Sequence, residues 1–360
     1  MSTLKVTNIQ NPSTSSGGVS IDTSGHVTID GQVLPSAGAL SNRNKIINGD
    51  MRIDQRNAGA AKTYGVGSAY ALDRWKGAAT IGNNMRVQQV TDAPAGFTNS
   101  LKADALTGAT ITASDYFTVS QSIEGFNISD LGFGTAAASS ITLSFWVKSS
   151  ITGTHSGSLR NSANDRSYPY TYTISSADTW EKKEIVIPGD TSGTWLTTNG
   201  VGIGVLFNLG AGSTFSGTAG AWAGANYLAA TGAVSPLATS GATWYITGVQ
   251  LEPGSVATPF EHRSYGDELA RCQRYYQISI SGFTGYAPNT TNAFGTFVPF
   301  SVLMRSAPTM TLIASLSAVN YSSAIGSFNS TRAEGYLYEK VPTAIGGARY
   351  TDSFAASAEL

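Results

Sequence analysis

The stretch "ITLSFWVK" (141–148) sets Ile141, Leu143, Phe145 and Val147 against Thr142, Ser144, Trp146 and Lys148 in strict alternation. Successive side chains of a strand point to opposite faces, so a period of two describes a strand with one face in a core. "VGIGVLF" (201–207) repeats the pattern with Val201, Ile203, Val205 and Phe207, and "FTVSQSI" (117–123) with Phe117, Val119 and Ile123. Gly/Ser/Thr/Asn runs such as "GAGSTFSGTAGAWAGAN" (210–226) separate these segments and read as loops. Helical periodicity is scarce. The pattern predicts a mainly β chain, packed as a sandwich or barrel.

Composition narrows the class. Of 360 residues, 41% are hydrophobic, enough for a core, while only 12% are charged, about half the usual ~25%. Ser, Thr, Asn, Gln and Gly must therefore cover much of the surface. The 22 basic and 23 acidic residues leave a net charge of −1, and no Lys/Arg cluster of the kind that tracks phosphates is visible. No run approaches the ~20 apolar residues of a membrane helix, and "MSTLKVTNIQNP" has no apolar segment of secretory type. The lone Cys272 has no intrachain partner for a disulfide. Neither nucleic acid nor membrane insertion is expected of this soluble, unstapled chain made in a cytosol.

Four regions separate: an arm over 1–40, a β-rich body over 41–262, a linking helix over 263–276 and a C-terminal β region over 277–360. In the arm, "VSID", "TSG" and "HVTID" predict a hairpin with Val19 and Ile21 facing Val27 and Ile29, its turn eased by Gly25. An isolated hairpin is marginal in water, so the arm is expected to gain order against another chain. In "SYGDELARCQRYY" (264–276), Ser264 is the expected N-cap, and Leu269, Cys272 and Tyr276 share one helix face.

No catalytic or metal site is legible. His26, His155 and His262 are widely spaced, and no G-x-S-x-G elbow accompanies them. His155 is expected in a solvated Gly/Ser loop and Cys272 as a small buried thiol. "NSANDRS" (161–167) offers oxygens but lacks the alternating acids, the Gly and the terminal Glu of an EF-hand. Asp178, Glu181, Glu184 and Asp190 read as surface acids rather than a glycosidase pair. The expectation is a protein without enzyme activity, cofactor or bound metal.

Aromatic residues carry more information. Tyr168, Tyr170 and Tyr172 alternate in "YPYTY" and share a strand face, while Trp195, Trp222 and Tyr227 lie in Gly/Ser-rich loops. Flat rings beside Asn and Ser suit stacking on sugars, and the same rings suit plugging a core or a subunit interface. The candidate ligand-binding residues are Tyr168, Tyr170, Trp195, Trp222 and Tyr227, with Tyr321, Tyr336 and Tyr338 in the C-terminal region.

Several segments taken together resemble the tail-fibre or receptor-binding proteins of bacteriophages. They are "NKIINGDMRIDQRN" (44–57), "YALDRW" (70–75), "LSFWVKSS" (143–150), "WYITGVQLEPGSVATPFEHRSYGDELARCQRYYQ" (244–277), "MRSAPT" (304–309) and the closing "SAEL". The opening 31 residues are similar to the attachment ends of phage fibres, notably marine ones. Asn57 stands where the family commonly has Gly, and Asn also tolerates positive φ. Asp73 and Arg74 are expected to pair across strands.

The resemblance implies an antiparallel jelly-roll β-sandwich with a thin N-terminal arm, one short helix and a C-terminal β domain. It further implies a homotrimer located in the virion, held through residues 1–40 to another virion protein and binding a host surface glycan. A capsid-attached fibre or decoration protein, a polysaccharide-cleaving tailspike and a secreted carbohydrate-binding module are the alternatives.

Overall fold

A computed structural model describes the whole chain except residues 1–7, 10–17, 24, 31, 37, 38, 323 and 325. The chain divides into two compact units, Met1–His262 and Arg263–Leu360. The opening attachment residues 1–7 and 10–17 thus lie outside the described residues. The rest of the arm carries β1 (Asn8–Ile9), β2 (Val19–Ile21), β3 (Val27–Ile29) and β4 (Gln32–Val33), paired in that order. Val19 opposes Ile29 and Ile21 opposes Val27, and Gly25 takes φ +84° in the intervening turn, as the hairpin reading requires.

The body of the first unit is an antiparallel jelly-roll β-sandwich. Its strands are β5 (Lys62–Thr63), β6 (Gly67–Leu72), β7 (Trp75–Ala79), β8 (Met85–Val90), β9 (Ser100–Ala105) and β10 (Tyr116–Glu124). There follow β11 (Ile141–Ser149), β12 (Gly153–Arg160), β13 (Ser167–Ile174), β14 (Glu181–Ile187), β15 (Val201–Ala211), the short pair β16 (Ser216–Gly217) and β17 (Ala229–Ala230), and β18 (Thr243–Pro253). One six-stranded sheet runs β13-β12-β15-β10-β7-β6, the other β14-β11-β18-β9-β8-β5. Chain neighbours therefore cross repeatedly from sheet to sheet.

The inward phases predicted from sequence form the core. Ile141, Leu143, Phe145 and Val147 of β11 are all fully buried, as are Phe117, Val119 and Ile123 of β10 and Ile203, Val205 and Phe207 of β15. Phe207 is central: its ring lies 5.1 Å from Phe145, 5.7 Å from Trp244 and 6.4 Å from Trp75.

The two outer faces differ. Over β11 and β18 the chain folds back on itself. Arg43 donates to Glu252 at 3.1 Å and to Thr258 at 2.7 Å, and Glu261 donates its backbone N–H to Gln250 at 2.8 Å. Gln250 and Glu252, outward in phase, are consequently fully buried. The outer face of the other sheet carries the groove described below.

Three local expectations need correction. Asp73 and Arg74 do not pair across strands; they make the turn between β6 and β7, with Arg74 at φ +69°. Asp73 accepts from the Gln55 backbone and side chain at 2.6 and 2.8 Å, and Arg74 donates to the Ser122 carbonyl. After "DQRN" the left-handed residues are Ala58 and Gly59 rather than Asn57; Asn57 instead donates its side chain to the Ala71 carbonyl. His155 belongs to β12, not to a solvated loop, and is fully buried beneath Tyr172 with ring centroids 5.5 Å apart.

The second unit begins with α1 (Tyr265–Gln273), whose N-cap Ser264 accepts from the Asp267 N–H at 3.2 Å and donates to its carboxylate at 2.7 Å. Cys272 is buried. The helix stops before Tyr276, which starts β19 (Tyr276–Ala287) instead of extending the helical face. With β20 (Phe294–Pro299), β21 (Thr309–Val319), β22 (Ser327–Thr331), β23 (Gly335–Lys340) and β24 (Gly346–Ser357), it builds two three-stranded sheets, β19-β24-β21 and β20-β23-β22. Rings from both sheets fill the core, with Tyr338 against Phe354 at 4.5 Å and Tyr350 at 5.7 Å.

Candidate ligand-binding site

The outward phases of the first sheet's central strands enclose a groove of about 320 Å3. Alternation dictates its floor. With Phe117, Val119 and Ile123 committed to the core, β10 must present Thr118, Ser120 and Ser122 outward. By the same rule β7 presents Lys76 and Ala78, β15 presents Gly204 and Leu206, and β12 ends with Arg160; all of these line the groove. Tyr116 and Phe215 form an aromatic wall, edge to face at 5.1 Å. Asn226 and Leu228, from the loop that closes over β15, form the opposite margin.

Gly204 gives the groove its depth. In register it opposes Ser122 on one side and Arg160 on the other. A Cβ built there meets the nearest atoms, Leu206 Cδ1 and the Arg160 carbonyl, at 3.6 and 3.8 Å, ordinary contacts. Glycine is therefore not needed for backbone conformation or strand packing at this point. Its effect is to leave space.

Arg160 is the principal charge in the groove. One Nη1 proton is donated to the Asn226 side-chain oxygen, and Nε is buried without a hydrogen-bond partner. Among the described residues it makes no ion pair. Burial, opposed weakly by the Tyr116 hydroxyl, pushes its pKa down to about 10. Floor and walls together offer hydroxyls, three amides, two aromatic rings and two cations, and no carboxylate. Such a surface can hydrogen-bond hydroxyl groups and stack an apolar ring face.

The eight aromatic residues singled out from sequence lie elsewhere. Tyr168, Tyr170 and Trp195 are 6%, 1% and 7% exposed, and Tyr321, Tyr336 and Tyr338 are 6%, 0% and 0%. All six are core residues, so their expected place on a ligand-facing surface is corrected. The reason is packing: "YPYTY" turns its tyrosines inward, where Tyr170 donates to the Leu206 carbonyl at 2.7 Å. Trp195 is held edge-on by Phe133 at 5.0 Å and Trp222 at 5.4 Å, and Trp222 is reached by Tyr168 at 5.2 Å. Half-buried Trp222 donates its indole N–H to the Pro188 carbonyl at 2.7 Å, and Tyr227 lays its ring on Gly217. Neither lines the groove, although Tyr227's two neighbours do. Loops rich in Gly and Ser let large rings sink, because small residues leave room for them.

Three of the four acids read as surface residues are engaged, and one of them, Asp190, is buried instead. Asp190 holds Arg166 through two bonds of 2.7 Å, Glu181 pairs with Lys183 at 2.6 Å and Glu184 with Lys182 at 2.7 Å. In "NSANDRS" the Asn161 side chain is occupied by Asp165 and by the Arg166 backbone. Among the described residues no three His, Cys, Asp or Glu side chains converge.

No family model and no curated protein matches the chain. Solved structures do. A tailspike protein 4 enzymatically active domain of bacteriophage CBA120 is 13% identical over 58% of this chain, with a TM-score of 0.33. The chain spans only 21% of that structure. The module TmCBM61, solved in complex with β-1,4-galactotriose, is 11% identical over 59% of this chain and 99% of its own, with a TM-score of 0.29. The family 11 carbohydrate-binding module of Clostridium thermocellum, solved with a β-1,3-1,4-mixed-linked tetrasaccharide, is 16% identical over 55% of this chain and 99% of its own, with a TM-score of 0.26.

Proposed function

We propose that this chain is a non-enzymatic fibre protein of a phage virion that binds a host surface glycan in the groove of its jelly roll. The groove carries the reading: a hydroxyl-lined floor, an aromatic wall of Tyr116 and Phe215, and space opened by Gly204. A saccharide presents equatorial hydroxyls and an apolar C–H face, and this surface is complementary to both. The sequence resemblance to phage fibres supports the virion setting, with the arm as the attachment segment on the tail or the capsid. The absence of enzyme activity is part of the proposal, supported by the ion pairs that occupy Glu181, Glu184 and Asp190.

The fibre is proposed to be a homotrimer. In the second unit Ile278, Ile280, Ile313 and Leu316 of β19 and β21 are 46–59% exposed, apolar surface that further copies of the chain would cover. Three equivalent grooves would gain avidity without new contacts.

The test of binding is Gly204→Phe, which fills the groove without straining the backbone. It should abolish retention of the protein in gels containing host surface polysaccharide while leaving the melting temperature within a few degrees. Unchanged retention would refute the groove as the site. Light scattering tests the assembly: a mass three times 37.5 kDa is expected, and a monomer would refute the trimer.

A further inference from the structure

We propose that the groove selects saccharides that carry an anionic group, and that Arg160 receives that group. The inference rests on the glycan reading above and adds the chemical class of the ligand. Arg43 pairs with Glu252, Arg52 with Asp50, Arg86 with Asp104, Arg166 with Asp190 and Arg263 with Glu268. Five of the thirteen arginines thus hold a carboxylate partner. Arg160 lines the groove without one among the described residues, and its hydrogen-bond acceptor is the Asn226 amide.

A half-buried guanidinium with no counter-ion among the described residues and its Nε shut off from water and from any hydrogen-bond partner is unfavourable, and its depressed pKa is a sign of that cost. Hydroxyls of a neutral sugar relieve little of it. A carboxylate, sulfate or phosphate on the sugar relieves much more, because it supplies the missing charge and accepts from donors in a planar fork. Three further features agree. No acidic residue lines the groove, and Lys76 adds a second cation to the lining. Asn226 fixes the orientation of the guanidinium through its bond to Nη1. Gly204, directly across the ladder from Arg160, leaves room for a substituent beside it. Net charge does not explain the arrangement, since the whole chain stands at −1.

The test uses matched pairs of oligosaccharides with the full chain, read by calorimetry. The pairs are oligogalacturonate and its methyl ester, sialyllactose and lactose, a sulfated oligosaccharide and its desulfated form, and a phosphorylated one and its dephosphorylated form. The acidic member of at least one pair should bind, its neutral counterpart at least roughly tenfold more weakly. The pair that responds identifies the anion. Arg160→Gln should remove that preference, and Arg160→Lys should retain part of it, each with an unchanged melting temperature. Affinity should fall as salt rises. Equal binding of acidic and neutral members, insensitive to Arg160→Gln yet lost in Gly204→Phe, would overturn the anion inference and keep the glycan reading. Acid binding that survives both substitutions would place the ligand outside the groove and overturn the inference. Failure of every member to bind would overturn both.

Discussion

Replacing Lys340 by Met while keeping Asp352 should destabilise the second unit by about 3–5 kcal/mol, the usual result of stranding one member of a buried ion pair. Lys340 Nζ lies 2.8 Å from Asp352 Oδ2, and the residues are 4% and 0% exposed, so bulk water does not replace the lost partner. The Tyr338 hydroxyl donates to the same oxygen at 2.7 Å, leaving the stranded carboxylate one neutral donor. Its other oxygen, Oδ1, is buried with no hydrogen-bond partner among the described residues. The native pair therefore already carries a desolvation penalty, which the double change relieves. Lys340→Met with Asp352→Leu removes both charges and the orphaned oxygen. Tyr338 still accepts from the Gly326 N–H at 2.7 Å, but its own O–H loses its acceptor, at a cost of about 1–3 kcal/mol. The double variant should therefore be less destabilised than the single one, within about 1–3 kcal/mol of the parent. Hydrogen exchange of β23 and β24 amides reads the local opening free energy without requiring the whole chain to unfold in one step. Equal loss of protection in the single and double variants would show the pair to be uncoupled and refute the reasoning.

Two further outcomes follow from the sandwich. Phe207→Ala should cost about 3–5 kcal/mol in urea unfolding of the first unit, since its fully buried ring touches Phe145 and Trp244; a loss below ~1 kcal/mol would contradict its central place. Burial, with a smaller push from Lys183 and against the bond to the Ile151 carbonyl, lowers the His155 pKa from 6.5. The folded state then binds fewer protons than the unfolded one below that value, so the stability tied to neutral His155 is full above pH ~6.5 and is lost as pH falls. Melting temperatures between pH 7 and 5 should drop less steeply in His155→Gln, and identical slopes would count against the assignment.

The architecture of the body was legible because a strand with one face in a core writes its period into the sequence. Phe145, Phe117 and Phe207 could each be assigned inward from six or seven residues of context. The same reasoning contained half of the groove, since Thr118, Ser120 and Ser122 are simply the other phase of "FTVSQSI". What it did not contain was which outer face stays open. That depends on segments 43–48 and 254–261 folding over β18, and on Arg160 and Gly204, 44 residues apart, meeting across a ladder. The aromatic candidates failed for a related reason. Composition around Trp195 and Tyr338 shows that the loops are polar, but whether a ring points out or sinks is settled by distant partners such as Phe133 and Phe354. His155 was hidden likewise, its burial owed to Tyr172 on the neighbouring strand.

The division of labour within β10 has an evolutionary consequence. Tyr116, Thr118, Ser120 and Ser122 touch the groove, while Phe117, Val119 and Ile123 between them hold the core. Two vocabularies are thus interleaved letter by letter in a single strand, one read by the ligand and one by the fold. Substitutions in the first leave the second untouched, so a lineage can exchange one recognition surface for another, and so follow a changing target, without rebuilding the scaffold that displays it.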